Sequence, residues 1–167
     1  MRHKKKGEGN VGYVETTVVS DATALPTNNL ALAGRQMVTR EWWETAADRF
    51  ELYSSSVVSQ EVRRGDPNAA RRRVELLKDI PELAVDVRTF DLARKLIEGK
   101  AVPKEYPDDA LHIAIAACHS VDYLVSWNFK YITNAETIPL VRKICEANGY
   151  SCPEICTPQM LQKGELP

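Results

Sequence analysis

From Asp109 to Cys118 the sequence reads Asp-Ala-Leu-His-Ile-Ala-Ile-Ala-Ala-Cys, with His112 the only polar residue after the opening acid. A helix that is apolar all round has no face to offer to water, so it must be covered on every side. The run falls far short of the roughly 18 residues of a membrane span, and no other apolar run approaches that length. The cover therefore has to come from the rest of the chain. Its 167 residues suffice for one domain around one sizeable core.

The flanking sequence supplies that cover as alternating elements. Val11–Val14 reads as a short buried strand. Leu30, Ala33, Met37, Val38, Trp42 and Ala46 recur at helical steps between residues 27 and 48. Phe50–Tyr53 alternates as a strand, and Ser56 or Ser59 can cap the short helix that carries Glu61. Gly65-Asp66-Pro67 breaks the chain before a helix over 68–78. A strand over 83–85, a helix over 87–98 and a loop with two prolines lead into the apolar helix, taken as 108–120. Strands at 123–127 and 155–157 bracket a helix over 137–148 that Gly149 ends, and 158–162 is a terminal turn. Strands separated by helices predict a three-layer α/β/α domain with a central, mostly parallel sheet.

Three acids lie far apart, each beside an apolar segment: Glu15 after Val11-Gly12-Tyr13-Val14, Glu61 in Val57-Val58-Ser59-Gln60-Glu61-Val62, and Asp109 at the head of the apolar helix. An ionised carboxylate near a core is costly unless something pairs with it. Three brought together repel one another, and a divalent cation relieves that repulsion. In a parallel sheet, ligands sit at the carboxyl ends of strands. Glu15 lies at such an end, Glu61 on the helix leaving another, Asp109 at a helix N-terminus, and Asn128 just after the strand ending at Trp127. Oxygen-only donors favour Mg²⁺ or Mn²⁺ over zinc or copper. An ion held this way suits phosphodiester hydrolysis. Asn128 offers a neutral carbonyl, while Thr16 and Thr17 offer hydroxyls that orient a carboxylate or a water. No Gly-rich phosphate loop or nucleophile elbow competes with this reading.

Each of these residues also has a simpler role open to it. Glu15 can cap the next element or pair with a lysine, and Glu61 can pair with Arg64. Asp108 and Asp109 suit a helix start, with Asp108 the better cap. His112, one turn beyond Asp109, either hydrogen-bonds it or is a satisfied core histidine. Arg63, Arg64 and Arg40 are candidates for a phosphate backbone, with Arg35 beside them, whereas Arg71-Arg72-Arg73 reads first as a solvated helix face. Trp42-Trp43 reads as core plus interface before base stacking. The net charge of -1 disfavours a large basic platform without excluding a local one. Cys118 reads as a small core residue, and Cys145, Cys152 and Cys156 lack the paired spacing of a zinc site even with His119 added. Residues 1–10 are basic with no apolar region behind them, so they read as a disordered leader and not a secretory signal. That places a single domain at 11–167 in the reducing cytoplasm, with no membrane partner.

Four segments in this order resemble the PIN-domain family. Tyr13-Val14-Glu15-Thr16-Thr17-Val18-Val19-Ser20 resembles its opening strand and turn, and Val58-Ser59-Gln60-Glu61-Val62-Arg63-Arg64-Gly65-Asp66-Pro67 its second acidic segment. Asp109-Ala110-Leu111-His112-Ile113-Ala114 resembles the third. Val125-Ser126-Trp127-Asn128 resembles the fourth, where a serine or threonine shortly precedes an asparagine or aspartate. The resemblance spans about residues 11 to 160 and rests on the order and spacing of the motifs together. It implies a PIN-like fold and a Mg²⁺- or Mn²⁺-dependent endoribonuclease acting on RNA. It further implies a VapC-type toxin of a type II toxin–antitoxin pair, with a small antitoxin as partner and a homodimer as the assembly. By position, Glu15, Glu61 and Asp109 become the metal ligands, Asn128 the fourth corner of the catalytic set, Thr16 or Thr17 the hydroxyl beside the first acid, and His112 a supporting partner. Two departures stand out: the first acid is the longer Glu15 where aspartate is usual, and Asn128 replaces a frequent carboxylate. These departures leave open a catalytically degenerate PIN-fold module that binds RNA or an antitoxin without cutting.

Overall fold

The alternation resolves into five strands and seven α-helices in the computed structural model, which describes residues 10–163. Apart from Asn10, the expected basic leader lies outside the described residues. The chain runs β1 (Asn10–Val14), α1 (Thr16–Thr23), α2 (Leu30–Arg49), β2 (Phe50–Ser55), α3 (Ser56–Glu61), α4 (Pro67–Leu77) and β3 (Glu82–Leu83). It continues through α5 (Val87–Glu98), α6 (Pro107–Cys118), β4 (Tyr123–Val125), α7 (Ile138–Ala147) and β5 (Glu154–Cys156) to a 3₁₀ turn at Pro158–Leu161. None of these helices is long and apolar enough to cross a membrane.

The sheet is parallel throughout, in the order β3-β2-β1-β4-β5. Successive side chains of a strand point to opposite faces. Tyr13, Leu124 and Ile155 accordingly enter one apolar cluster, and their neighbours Val14, Val125 and Cys156 enter another. The first cluster is completed by α5, α6 and α7, through residues such as Leu92, Leu96, Ile113, Ile115 and Val141. The second is completed by Val18 of α1 and by Trp42 and Ala46 of α2. A sheet covered on both faces in this way is the middle of three layers, as expected. The run from Ile113 to Ala117 has no exposed surface at all, which answers the demand its composition made.

Helix starts follow local chemistry. Asn29 caps α2 by accepting from the Leu32 N–H, and Asp66 caps α4 with Pro67 in its first turn. Asp86 and Thr89 close a reciprocal capping box on α5. Ser55 caps α3, one residue ahead of the expected Ser56. Asp108 is not the cap of α6: Tyr106 occupies that position with no side-chain bond, Pro107 opens the helix, and both Asp108 and Asp109 lie in the first turn. Between α3 and α4, Gly65 takes φ +84°, a left-handed turn that favours glycine.

α1 runs against its local propensity. Thr16-Thr17-Val18-Val19 is rich in β-branched residues, which favour strands. Here Glu15 caps the segment, Val18 and Val19 bury completely, and the sequence after β1 turns into a helix. Trp42 is a core residue, 1% exposed beside Phe50, with the half-buried Trp43 edge-on to it, so Trp42 is closed to base stacking. All four cysteines are free.

The strand order also marks a candidate position for a ligand. From β1 the chain steps outward to β2 and β3, then returns to place β4 on the other side of β1. The crevice outside the carboxyl ends of β1 and β4 is the switch point at which open α/β sheets bind ligands.

Candidate functional site

Glu15 sits at that switch point. Its backbone N–H donates to Val125 O at 3.0 Å, continuing the β1–β4 pairing by one step. Its side chain is buried, 3% exposed, and three donors converge on Oε2: the Thr17 N–H at 3.1 Å, the Thr17 hydroxyl at 2.5 Å and the Ser126 hydroxyl at 2.8 Å. Each hydroxyl is itself oriented. Thr17 Oγ1 accepts from the Trp127 N–H at 2.8 Å, and Ser126 Oγ accepts from the Asn128 N–H at 2.9 Å. A backbone N–H can only donate, so both hydroxyl protons are directed at Glu15. Oε1 is the oxygen left for a ligand.

Glu61 ends α3 and is held by a separate pair of side chains. Its Oε1 accepts from the Thr16 hydroxyl at 2.8 Å and meets His112 Nε2 at 2.5 Å. His112, fully buried on α6, places Nδ1 2.7 Å from the Tyr13 hydroxyl, which lies 2.7 Å from Ser55 Oγ. A carboxylate accepts, so Nε2 carries the proton and the ring is fixed in that orientation. Burial alone would push Glu61 up; the hydrogen bond and charge of His112, with help from Thr16 and Arg64, outweigh it and hold the carboxyl below its usual range. Burial would likewise lower His112, but Glu61, Glu15 and Asp109 together raise it. The two directions agree: a charged ring at His112 and an ionised carboxylate at Glu61 favour one another. The sequence offered His112 either Asp109 or a plain core environment; its partner is Glu61 instead, through a bond spanning 51 positions.

Asp109, in the first turn of α6, behaves differently. Burial raises its pKa to about 6. The charge of His112 and a hydrogen bond from the Asn128 amide act against this, and repulsion from Glu15 and Glu61 adds to it. Asn128 does not present an idle carbonyl, because its Oδ1 already accepts from the Tyr131 N–H at 3.1 Å. It closes the turn after β4 and lends its amide to Asp109.

All four corner residues thus converge with Thr16, Thr17 and His112 at one rim. Arg64 is exposed at its edge, 3.8 Å from Asp108. Arg63 is exposed beside Arg64, and Arg40 is exposed on α2. In the Arg71–Arg73 run, Arg72 donates to Thr23 O, and Arg73 to Val62 O and Arg64 O, so two of the three tie helices together instead of forming a solvated face. Ser126, Tyr13 and Ser55 join the site without having been candidates. Only Ser126 carried a signal, a serine two residues ahead of Asn128.

Among the described residues, no three His, Cys, Asp or Glu side chains stand as a ready metal-holding group. By donor type the set nevertheless fits a hard cation, since its carboxylates offer oxygen only. The upward push of Glu15 and Glu61 on Asp109 is the repulsion that such an ion relieves. Comparison of this chain with protein-family models, curated proteins and solved structures returned no match.

Proposed function

We propose that this chain is a Mg²⁺- or Mn²⁺-dependent endoribonuclease of the PIN type, and the toxin of a type II toxin–antitoxin pair with a small antitoxin partner and a homodimeric assembly. The observation that carries the reading is Asp109, a carboxyl raised to about 6 by burial and by the charges of Glu15 and Glu61 at the switch point of a parallel sheet. Clustering mutually repelling acids costs stability and serves a cation. Glu15, Glu61 and Asp109 hold the ion. When bound, it supplies Lewis-acid charge to the phosphodiester and lowers the pKa of the attacking water. Ser126 and Thr17 hold Glu15, His112 and Thr16 hold Glu61, and Asn128 holds Asp109. Arg63 and Arg64 sit where a phosphate backbone can pass. The test is cleavage of RNA by purified protein with Mn²⁺, comparing wild type with Glu15→Gln and Asp109→Asn. The reading expects cleavage by wild type alone; cleavage that survives both changes overturns the site.

One observation favours a second reading, a PIN-like module that binds RNA or an antitoxin without cutting. Three protein donors already satisfy Glu15 Oε2, and Asn128 adds no charge. Titration calorimetry with Mn²⁺ separates the two: heat of binding that Asp109→Asn removes supports the nuclease, and no heat at millimolar Mn²⁺ supports the module.

A further inference from the structure

Two tyrosines meet beside the carboxylates, and neither takes part in holding them. Tyr106 precedes α6, and its carbonyl accepts from the Asp109 N–H at 3.2 Å. Tyr131 follows Asn128 by three residues, and its N–H bonds Asn128 Oδ1. The segments that deliver Asp109 and Asn128 are therefore the same two that deliver these rings. The rings are stacked, with centroids 4.1 Å apart and planes 27° from parallel. A stacked pair has two inner faces against each other and two outer faces free of each other. Tyr106 is 42% exposed, so part of its ring is open to a ligand from solvent. Lys130 Nζ lies 5.9 Å from the Tyr131 ring centroid, which brings a positive charge to the same spot. Lys104 stands exposed two residues before Tyr106. Rigid aromatic faces with adjacent cations are how proteins grip single strands: bases stack on the rings and phosphates meet the charges. A duplex keeps its bases stacked on each other and offers the rings nothing.

We infer that Tyr106 and Tyr131 form a stacking platform for a base of single-stranded RNA, adjacent to the bond presented to the carboxylates. This rests on the nuclease reading and deepens it by naming the two residues that take one base beside the carboxylates. The stack bridges two loops, so its tyrosines are positioning residues for the substrate. Binding to the platform needs no bond to be broken.

The test measures binding by fluorescence anisotropy in EDTA, which separates it from cleavage. The probes are a short single-stranded RNA, the same strand as a perfect duplex, and the same strand with an abasic site at each position in turn. Wild type is expected to prefer the single strand over the duplex, and to lose about ten-fold in affinity at one abasic position, the range of one stacked base. Tyr106→Ala is expected to lose a similar factor on the intact strand and nothing more on that abasic strand. Tyr106→Phe and Tyr131→Phe keep the rings and should retain binding. If Tyr106→Ala weakens intact and abasic strands equally, the pair is only a staple between loops and the inference fails. It also fails if the alanine variant binds like wild type. The two readings separate cleanly. Base-dependent binding without Mn²⁺-dependent cleavage removes the nuclease and leaves the platform, whereas cleavage with unchanged binding by Tyr106→Ala removes the platform and leaves the nuclease.

Discussion

Two gatherings of charge among the described residues, on the outer face of α5 and at the carboxyl rim of the sheet, obey different rules. On α5, Arg94 pairs with Asp91 and, at 3.5 Å, with Glu98, while Lys95 pairs with Asp91 at 3.1 Å. These side chains are all 40% exposed or more. Water screens such pairs, and their geometry is free to fluctuate. At the rim, Glu15 and His112 are buried, and each of their hydrogen bonds comes from a partner that is itself oriented by a further bond. Spacing along one helix suffices for the first set. The second requires β1, α1, α3, α6 and the loop after β4 to be in place at once. Opposite charges alternate on α5, whereas the rim has three acids against one histidine. The contrast separates charge that keeps a surface in water from charge assembled at a cost to the fold.

Four substitutions test that contrast. The largest effect is expected on chemistry: Glu15→Gln should reduce metal-dependent RNA cleavage by roughly a thousand-fold in a single-turnover assay, since an ion contributes several kcal/mol at a developing charge. Its circular dichroism spectrum should remain that of wild type. Next comes His112→Ala, which leaves Glu61 and the Tyr13 hydroxyl without their buried partner. Loss of one member of such a pair costs about 3 to 5 kcal/mol, visible as an early urea midpoint; a midpoint equal to wild type would remove the rim's claim to be special.

Smaller, and of opposite sign, is Asp109→Asn. Asp109 rises from an ordinary 3.8 to about 6 on folding, so the folded state resists its ionisation. The destabilisation is absent below 3.8, grows as pH rises toward 6 and stays in force above it. Asparagine removes it, so the variant should melt above wild type at neutral pH and equal to it in acid. His112 works in the reverse direction: its raised pKa stabilises the fold at low pH, and that contribution fades as pH climbs through the folded value. Last is Arg94→Ala on α5, which should leave both melting temperature and cleavage unchanged. A clear drop in either would show that the two sets of charge do not differ as described.

Much of the fold was readable because burial leaves a periodic trace. α6 announces itself by having no polar face, and β1 by its apolar run. α1 was not readable, since Thr16-Thr17-Val18-Val19 has strand propensity and becomes helical only because Glu15 caps it and the second core accepts Val18. The acids of the site were legible as charges beside apolar segments. Their threonine partners were legible too, as hydroxyls beside Glu15, but the Glu61–His112 contact was not, because it joins elements that only the tertiary fold brings together. Ser126 was legible as the serine ahead of Asn128, but its bond to Glu15 emerges only when β4 is seen beside β1. The Tyr106–Tyr131 stack left no local sign either, as each ring sits in a loop without periodicity.

The central position of β1 has a consequence for synthesis. β1 waits for a partner far downstream: Gly12 pairs with Tyr123, and Glu15 is held by Ser126, 111 positions later. Contacts so distant in sequence form late and slowly. A nascent chain that stops short of β4 has the Thr16 and His112 partners of Glu61 but lacks the Ser126 hydroxyl and Trp127 N–H that fix Glu15. The Glu15 half of the rim therefore assembles only once β4 and Ser126 have been made.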